Sequence, residues 1–192
     1  MAGPALNFAA ELLLLAQPVR AAIFDVDGVL TDGRIYLGEQ GEEFKAFSTL
    51  DGHGLKLLAR AGIEPMIISG RDSPALRRRA ADLGITHAIY GAADKLSVAE
   101  SLLVPLKLAW SQVAAMGDDW PDLPLLRRAA FSCAPPGAHA EVRAACAYVT
   151  HARAGYGAAR ECCDLLLIAS GHYVKLLREP QHALDASART RA

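Results

Sequence analysis

The chain has no surplus of positive charge: Lys and Arg number 20 against 21 Asp and Glu in 192 residues, a formal net charge of -1. This is not the polycationic footprint of a nucleic-acid binder, so any recognition of an anion must be local. Cysteine is scarce as well. Cys133, Cys146, Cys162 and Cys163 show no metal-binding Cys-x-x-Cys spacing, and the adjacent pair falls in an apolar run that reads as helix. They read as buried thiols in a reducing cytosol, not as a zinc site or a disulfide framework. No apolar run approaches the roughly 20 residues of a membrane span. The leucines at 12–15 lie in a segment, 5–16, that carries Glu11 and no basic leader, and it reads as a short helix packed on the body. There is no internal repeat, low-complexity stretch or linker. The expectation is a soluble, cytoplasmic, single domain over 1–192, with a core at about 19–171 and a tail at 172–192 that is polar and mobile from Glu179 onward.

Hydrophobic residues at 52% are enough for a proper core. Short apolar runs alternate with helical patterns, the rhythm of a doubly wound α/β fold with a parallel sheet covered on both faces. The strands are expected at 21–24, 65–69, 88–90, 113–116, 131–133 and 148–150. Helices are expected at 54–61, 74–83, 95–103, 123–129, 138–145 and 157–170. Ser73 followed by Pro74 makes a cap and first-turn pair, and Gly62 and Gly84 stand where helices stop. One stretch, 33–47, breaks the rhythm: apolar segments 35–37 and 44–47 flank Gly38-Glu39-Gln40-Gly41, which reads as a β-hairpin overhanging the loop before it.

That loop is the most informative part of the chain. Asp25 and Asp27 follow the first strand in Asp25-Val-Asp-Gly-Val-Leu-Thr-Asp32. An acidic turn of this kind can be mere solvated surface, but carboxylates at the end of a buried strand are costly unless a metal or hydrogen bonds compensate them. The carboxyl ends of parallel strands converge on one crevice, so the other strand ends decide the matter. They supply Ser69-Gly70-Arg71, then Lys95 at a helix start, then Gly117-Asp118-Asp119 with Asp122. Singly these are a turn, a solvated lysine and a helix cap; together they are the parts of a phosphoryl-transfer site. Asp25 is the expected nucleophile, and Asp27 the general acid and base. Ser69 and the Gly70 amide would donate to phosphoryl oxygens, and Lys95 would neutralise charge. Mg²⁺ would take Asp25, Asp118 and the backbone carbonyl at Asp27, with Asp119 and Asp122 in support.

These motifs in this order resemble the haloacid dehalogenase superfamily of phosphohydrolases. The segments 25–33, Phe44-Lys-Ala-Phe47, Asp51-Gly-His-Gly54, Ile68-Ser-Gly-Arg71, 83–87, Gly117-Asp-Asp119 and Gly155-Tyr-Gly-Ala-Ala-Arg-Glu161 are similar to the 3-deoxy-D-manno-octulosonate 8-phosphate phosphatases of lipopolysaccharide precursor synthesis. The spacing leaves no room for a cap domain: only the hairpin and a helix separate Asp27 from Ser69, and only a helix and a short strand separate Gly70 from Lys95. The resemblance implies a homotetramer in which a neighbouring subunit completes each pocket. It also implies that Ser48, Thr49, Asp51, Gly52, Lys56, Arg71 and Arg79 hold the sugar acid. Arginine suits a carboxylate because it can bind it in a bidentate way. Departures from the pattern are Ala154-Gly155 in place of a Gly-Gly pair, and Leu50 and Lys56 at positions often basic or variable. The alternatives are a phosphatase for a nine-carbon sugar acid 9-phosphate, a phosphoacceptor signalling domain and a non-catalytic binding module.

Overall fold

In the computed structural model, which describes residues 4–39 and 41–179, six parallel strands form the centre of the molecule. They are β1 (Ala21–Phe24), β4 (Glu64–Ile68), β5 (His87–Ile89), β6 (Val113–Met116), β7 (Phe131–Ala134) and β8 (Tyr148–Val149), in the order β5-β4-β1-β6-β7-β8. All four residues of β1, β6 and β7 are buried, as expected where helices cover both faces of a sheet. Alternation along the strands sorts the core into two layers. Ala22, Phe24, Ile67, Met116 and Cys133 face one way, toward α2 (Thr49–Arg60), α3 (Pro74–Leu83) and α7 (Ala158–Ala169). Ala21, Ile23, Met66, Ile68 and Ala115 face the other, toward α4 (Lys95–Leu106), α5 (Leu123–Arg128) and α6 (Ala140–Ala145).

Topology fixes where a ligand can bind. The chain runs outward from β1 through β4 to β5, then returns to the other side of β1 and runs outward again through β6, β7 and β8. The carboxyl end of β1 is therefore the switch point of the sheet, the usual site of a crevice in open α/β folds.

The segment after β1 forms an antiparallel hairpin of β2 (Tyr36–Gly38) and β3 (Gly41–Phe44). Its second strand comes earlier than the expected 44–47, because Gly38 pairs with Gly41 and Tyr36 with Phe44, whose rings stack at 4.5 Å. Helix α2 likewise starts at Thr49, earlier than expected. Ser48 caps it, accepting a bond from the Asp51 amide at 3.4 Å. Gly54 serves close packing: a Cβ there would lie 3.1 Å from the Cys163 sulfur of α7.

The expected N-terminal helix is present as α1 (Ala10–Ala16), and a further helix, α8 (Tyr173–Arg178), follows α7 where only a tail was expected. The remainder of that tail, 180–192, lies outside the described residues. Among the described residues there is no cap between β1 and β4 or between β4 and α4. No helix among them is long and apolar enough to cross a membrane.

Candidate active site

Asp25 leaves the end of β1 with its amide bonded to the Met116 carbonyl of β6 at 3.0 Å, so the sheet register itself places its side chain. Lys95, in the first turn of α4, reaches the same point. Its ammonium donates to Asp25 Oδ1 at 2.7 Å and to Asp122 Oδ1 at 2.5 Å, with all three side chains buried. Asp122 uses its other oxygen to accept the amides of Asp118 and Asp119 at 3.1 and 3.2 Å, which shapes the loop after β6. Asp118 is thereby held facing Asp25 across the crevice.

Gly28 shows how closely these loops approach. It has φ +90°, and a Cβ there would stand 2.0 Å from Asp118 Oδ2. Only glycine satisfies both the backbone conformation and the contact.

The ligand oxygens of Asp25, Asp118 and Asp122 lie within 4.8 Å of one another. Burial, reinforced by the charge of Asp122, pushes the Asp25 carboxyl up to about 6 in spite of Lys95. Burial and the charges of Asp25 and Asp122 push Asp118 up to about 8. Burial alone would depress Lys95, but its two carboxylate partners outweigh that and hold it above the ordinary lysine value. Three carboxylates, two buried and one half-buried, against one ammonium leave a site short of positive charge. An all-oxygen donor set in that state suits a hard divalent cation such as Mg²⁺, and Asp25 and Asp118 are the carboxylates best placed to hold it, since Asp122 is already bonded to Lys95 and two amides.

Asp27 is placed differently. Its side chain bonds Lys45, the residue after β3, with Nζ 2.5 Å from Oδ1. Arg71 Nε stands 3.9 Å from Oδ2. Ser69 is buried at the end of β4, its Oγ accepting the Arg71 amide at 3.1 Å while its hydroxyl proton remains to be donated. Asp25, Asp27, Ser69, Gly70, Arg71, Lys95, Asp118, Asp119 and Asp122 all line one pocket of about 370 Å³. A larger cleft of about 780 Å³, lined by Asp32, Arg34, Pro136, Gly137, Arg153, Ala154 and Tyr156, contains none of these groups.

The residues expected to hold the sugar acid divide. Gly70 and Arg71 are in the pocket. Ser48, Asp51, Gly52 and Arg79 instead surround a small crevice between α2 and α3, and Thr49 and Lys56 are exposed on α2. Arg79 donates to the Ser48 carbonyl at 3.0 Å and lies over the Phe47 ring. Asp51 is buried and turned toward α7, accepting the Arg160 amide at 2.8 Å and the Gly157 amide at 3.2 Å. It joins α2 to the start of α7, and the same burial raises its carboxyl above the ordinary aspartate value. Lys45 was given no site role in the sequence reading, although its segment Phe44-Lys-Ala-Phe47 is among those that carry the resemblance.

Comparison with known proteins now bears on this site. The chain is 43% identical to the 3-deoxy-D-manno-octulosonate 8-phosphate phosphatase KdsC of Escherichia coli K12 over 162 residues, 84% of this chain and 86% of that protein. The chain belongs to the haloacid dehalogenase-like hydrolase family. The model of that family matches residues 89–161, from the end of β5 into α7. A probable YrbI-family phosphatase from Pseudomonas syringae superposes with a TM-score of 0.85 at 46% identity, covering 88% of this chain and 96% of that one. The 3-deoxy-D-manno-octulosonate 8-phosphate phosphatase of Moraxella catarrhalis, solved with magnesium, phosphate and KDO, superposes with a TM-score of 0.84 at 40% identity, covering 87% of this chain and 96% of that one.

Proposed function

We propose that this chain is a Mg²⁺-dependent phosphatase that hydrolyses 3-deoxy-D-manno-octulosonate 8-phosphate to the free sugar acid and phosphate. It would act in the cytoplasm, in the synthesis of lipopolysaccharide precursors. The observation that carries the reading is the buried Asp25-Lys95-Asp122 chain facing Asp118, in one pocket with Asp27 and Ser69. The likeness to the E. coli and M. catarrhalis phosphatases supplies the substrate.

In this reading an Asp25 oxygen attacks phosphorus, the bond from phosphorus to the C8 oxygen breaks, and an aspartyl-phosphate forms. Asp27 gives its proton to the departing alkoxide. It then takes a proton from the water that attacks the aspartyl-phosphate, which returns Asp25 as a carboxylate and releases phosphate. Lys95, fixed between Asp25 and Asp122, offsets the charge that collects on the nucleophile and the phosphoryl oxygens. Ser69 and the Gly70 amide donate to those oxygens. Asp25, Asp118 and the carbonyl at Asp27 would hold a Mg²⁺, which would supply further charge neutralisation between the two anions.

The described chain works as one catalytic unit with the hairpin as a flap, and Arg71 at the pocket mouth takes the substrate carboxylate. Ser48, Thr49, Gly52 and Lys56 do not reach this chain's own pocket, so their contribution is to a neighbouring copy in a homotetramer. The flap side chains Ile35, Leu37 and Phe44, exposed in the single chain, support such a contact. The test is a comparison of initial rates on the eight-carbon 8-phosphate and a nine-carbon sugar acid 9-phosphate, with Mg²⁺ present. The eight-carbon ester should be cleaved faster; the reverse order would overturn the named substrate, and a fully active monomer would overturn the shared pocket.

A further inference from the structure

The Lys45 side chain is only 1% exposed, yet it carries an ammonium, and that ammonium sits 2.5 Å from Asp27 Oδ1. Burying a lysine charge is expensive unless a partner compensates it, and a charge-assisted bond to a carboxylate is a strong form of compensation. The two oxygens of Asp27 are thereby made unequal. Oδ1 is held from the flap side by Lys45, while Oδ2 lies on the side of Arg71, 3.9 Å from its Nε. Lys45 and Asp27 are 18 residues apart, on opposite sides of the hairpin, so the bond also fastens the flap to the catalytic loop. The stacked Tyr36 and Phe44 rings end the hairpin immediately before Lys45.

We propose that Lys45 is a positioning residue for Asp27: from the base of the flap it fixes the carboxylate so that the other oxygen is presented for proton transfer. The proposal rests on the reading of Asp27 as the acid and base. An aspartate on a loop has two free torsions, and displacement of a catalytic group by about 1 Å can cost on the order of 10²-fold in rate. Lys45 removes that freedom, and a displaced flap would restore it.

The experiment is a double-mutant cycle between Lys45→Met and Asp27→Ala, read as kcat and KM on 3-deoxy-D-manno-octulosonate 8-phosphate and on p-nitrophenyl phosphate. The second ester has a leaving group that needs little help from an acid. Lys45→Met should lower kcat on the sugar phosphate by roughly 10–100-fold, with KM changed by less than about 3-fold. It should cost less on p-nitrophenyl phosphate, and should add almost nothing on top of Asp27→Ala, because residues acting as a unit are not additive. Lys45→Arg, which keeps the charge, should recover part of the loss. Lys45→Gln replaces the methionine variant if a thermal melt shows that variant unfolded. A wild-type kcat in Lys45→Met or Lys45→Gln, equal losses on both esters, or losses that multiply with those of Asp27→Ala would each overturn the role. A wild-type enzyme that cleaves neither ester would instead count against the phosphatase reading itself.

Discussion

Replacing Asp118 with asparagine should make the metal-free protein more stable while destroying its use. Asp25, Asp118 and Asp122 crowd their oxygens within 4.8 Å, and Lys95 bonds only two of them. Two unit charges at about that separation repel by roughly 3–4 kcal/mol at an effective dielectric constant of about 20. Protonation already relieves part of this, since burial and the neighbouring charges lift Asp118 to about 8. An amide has nearly the same shape, carries no charge and can donate to Asp25 as the protonated carboxyl does. The net gain should be about 1–3 kcal/mol, or roughly 2–12 °C in melting temperature for a chain of this size.

The direction with pH follows from linkage. A carboxyl whose folded pKa lies above its unfolded value contributes stability that is complete below the unfolded value, 3.8, and is lost as pH rises through about 8. Wild type should therefore fall behind Asp118→Asn progressively from pH 5 to pH 8. Thermal melts of both proteins in EDTA across that range measure the gap. Added Mg²⁺ should then stabilise wild type far more than the variant, because a ligand stabilises only the state that binds it. An asparagine variant less stable than wild type in EDTA at pH 8, or a gap that narrows as pH rises, would refute the reasoning.

Gly28→Ala should weaken Mg²⁺ binding and cost about 1–3 kcal/mol of stability, because the new Cβ needs a left-handed backbone and meets Asp118 at 2.0 Å; unchanged Mg²⁺ titration and melting would contradict this. Asp51→Ala should cost about 2–4 kcal/mol by leaving the Gly157 and Arg160 amides without their buried acceptor, seen as a lower denaturant midpoint, whereas a role confined to substrate would leave that midpoint in place. Asp27→Ala should reduce turnover of the sugar phosphate by roughly 10²–10⁴-fold while calorimetric Mg²⁺ binding persists, and comparable mutant and wild-type rates would remove its acid and base role.

The parallel sheet and the phosphoryl groups were legible in the sequence for one reason: strand ends converge, so Asp25, Ser69 and Asp118, each next to an apolar run, had to be neighbours. What was not legible depends on contacts between distant segments. The helix expected from Gly54 begins at Thr49, and Gly54 fits within α2 because α7 packs too closely for a side chain. The hairpin register follows the Gly38 and Gly41 pair, while the apolar pattern at 44–47 suited a later strand equally well. Asp51 was expected to hold the sugar acid through the resemblance alone, and nothing local shows that its carboxylate meets α7 more than a hundred residues on. Lys45 was passed over for the same reason, since its partner lies across the flap.

The most direct test of the central claim is phosphate release from 3-deoxy-D-manno-octulosonate 8-phosphate by wild type and Asp25→Asn, each with Mg²⁺ and with EDTA. Release by wild type in Mg²⁺ alone, with the other three mixtures at background, is the expected result. Release that persists in Asp25→Asn or in EDTA, or none from wild type in Mg²⁺, would contradict a Mg²⁺-dependent phosphatase built on Asp25.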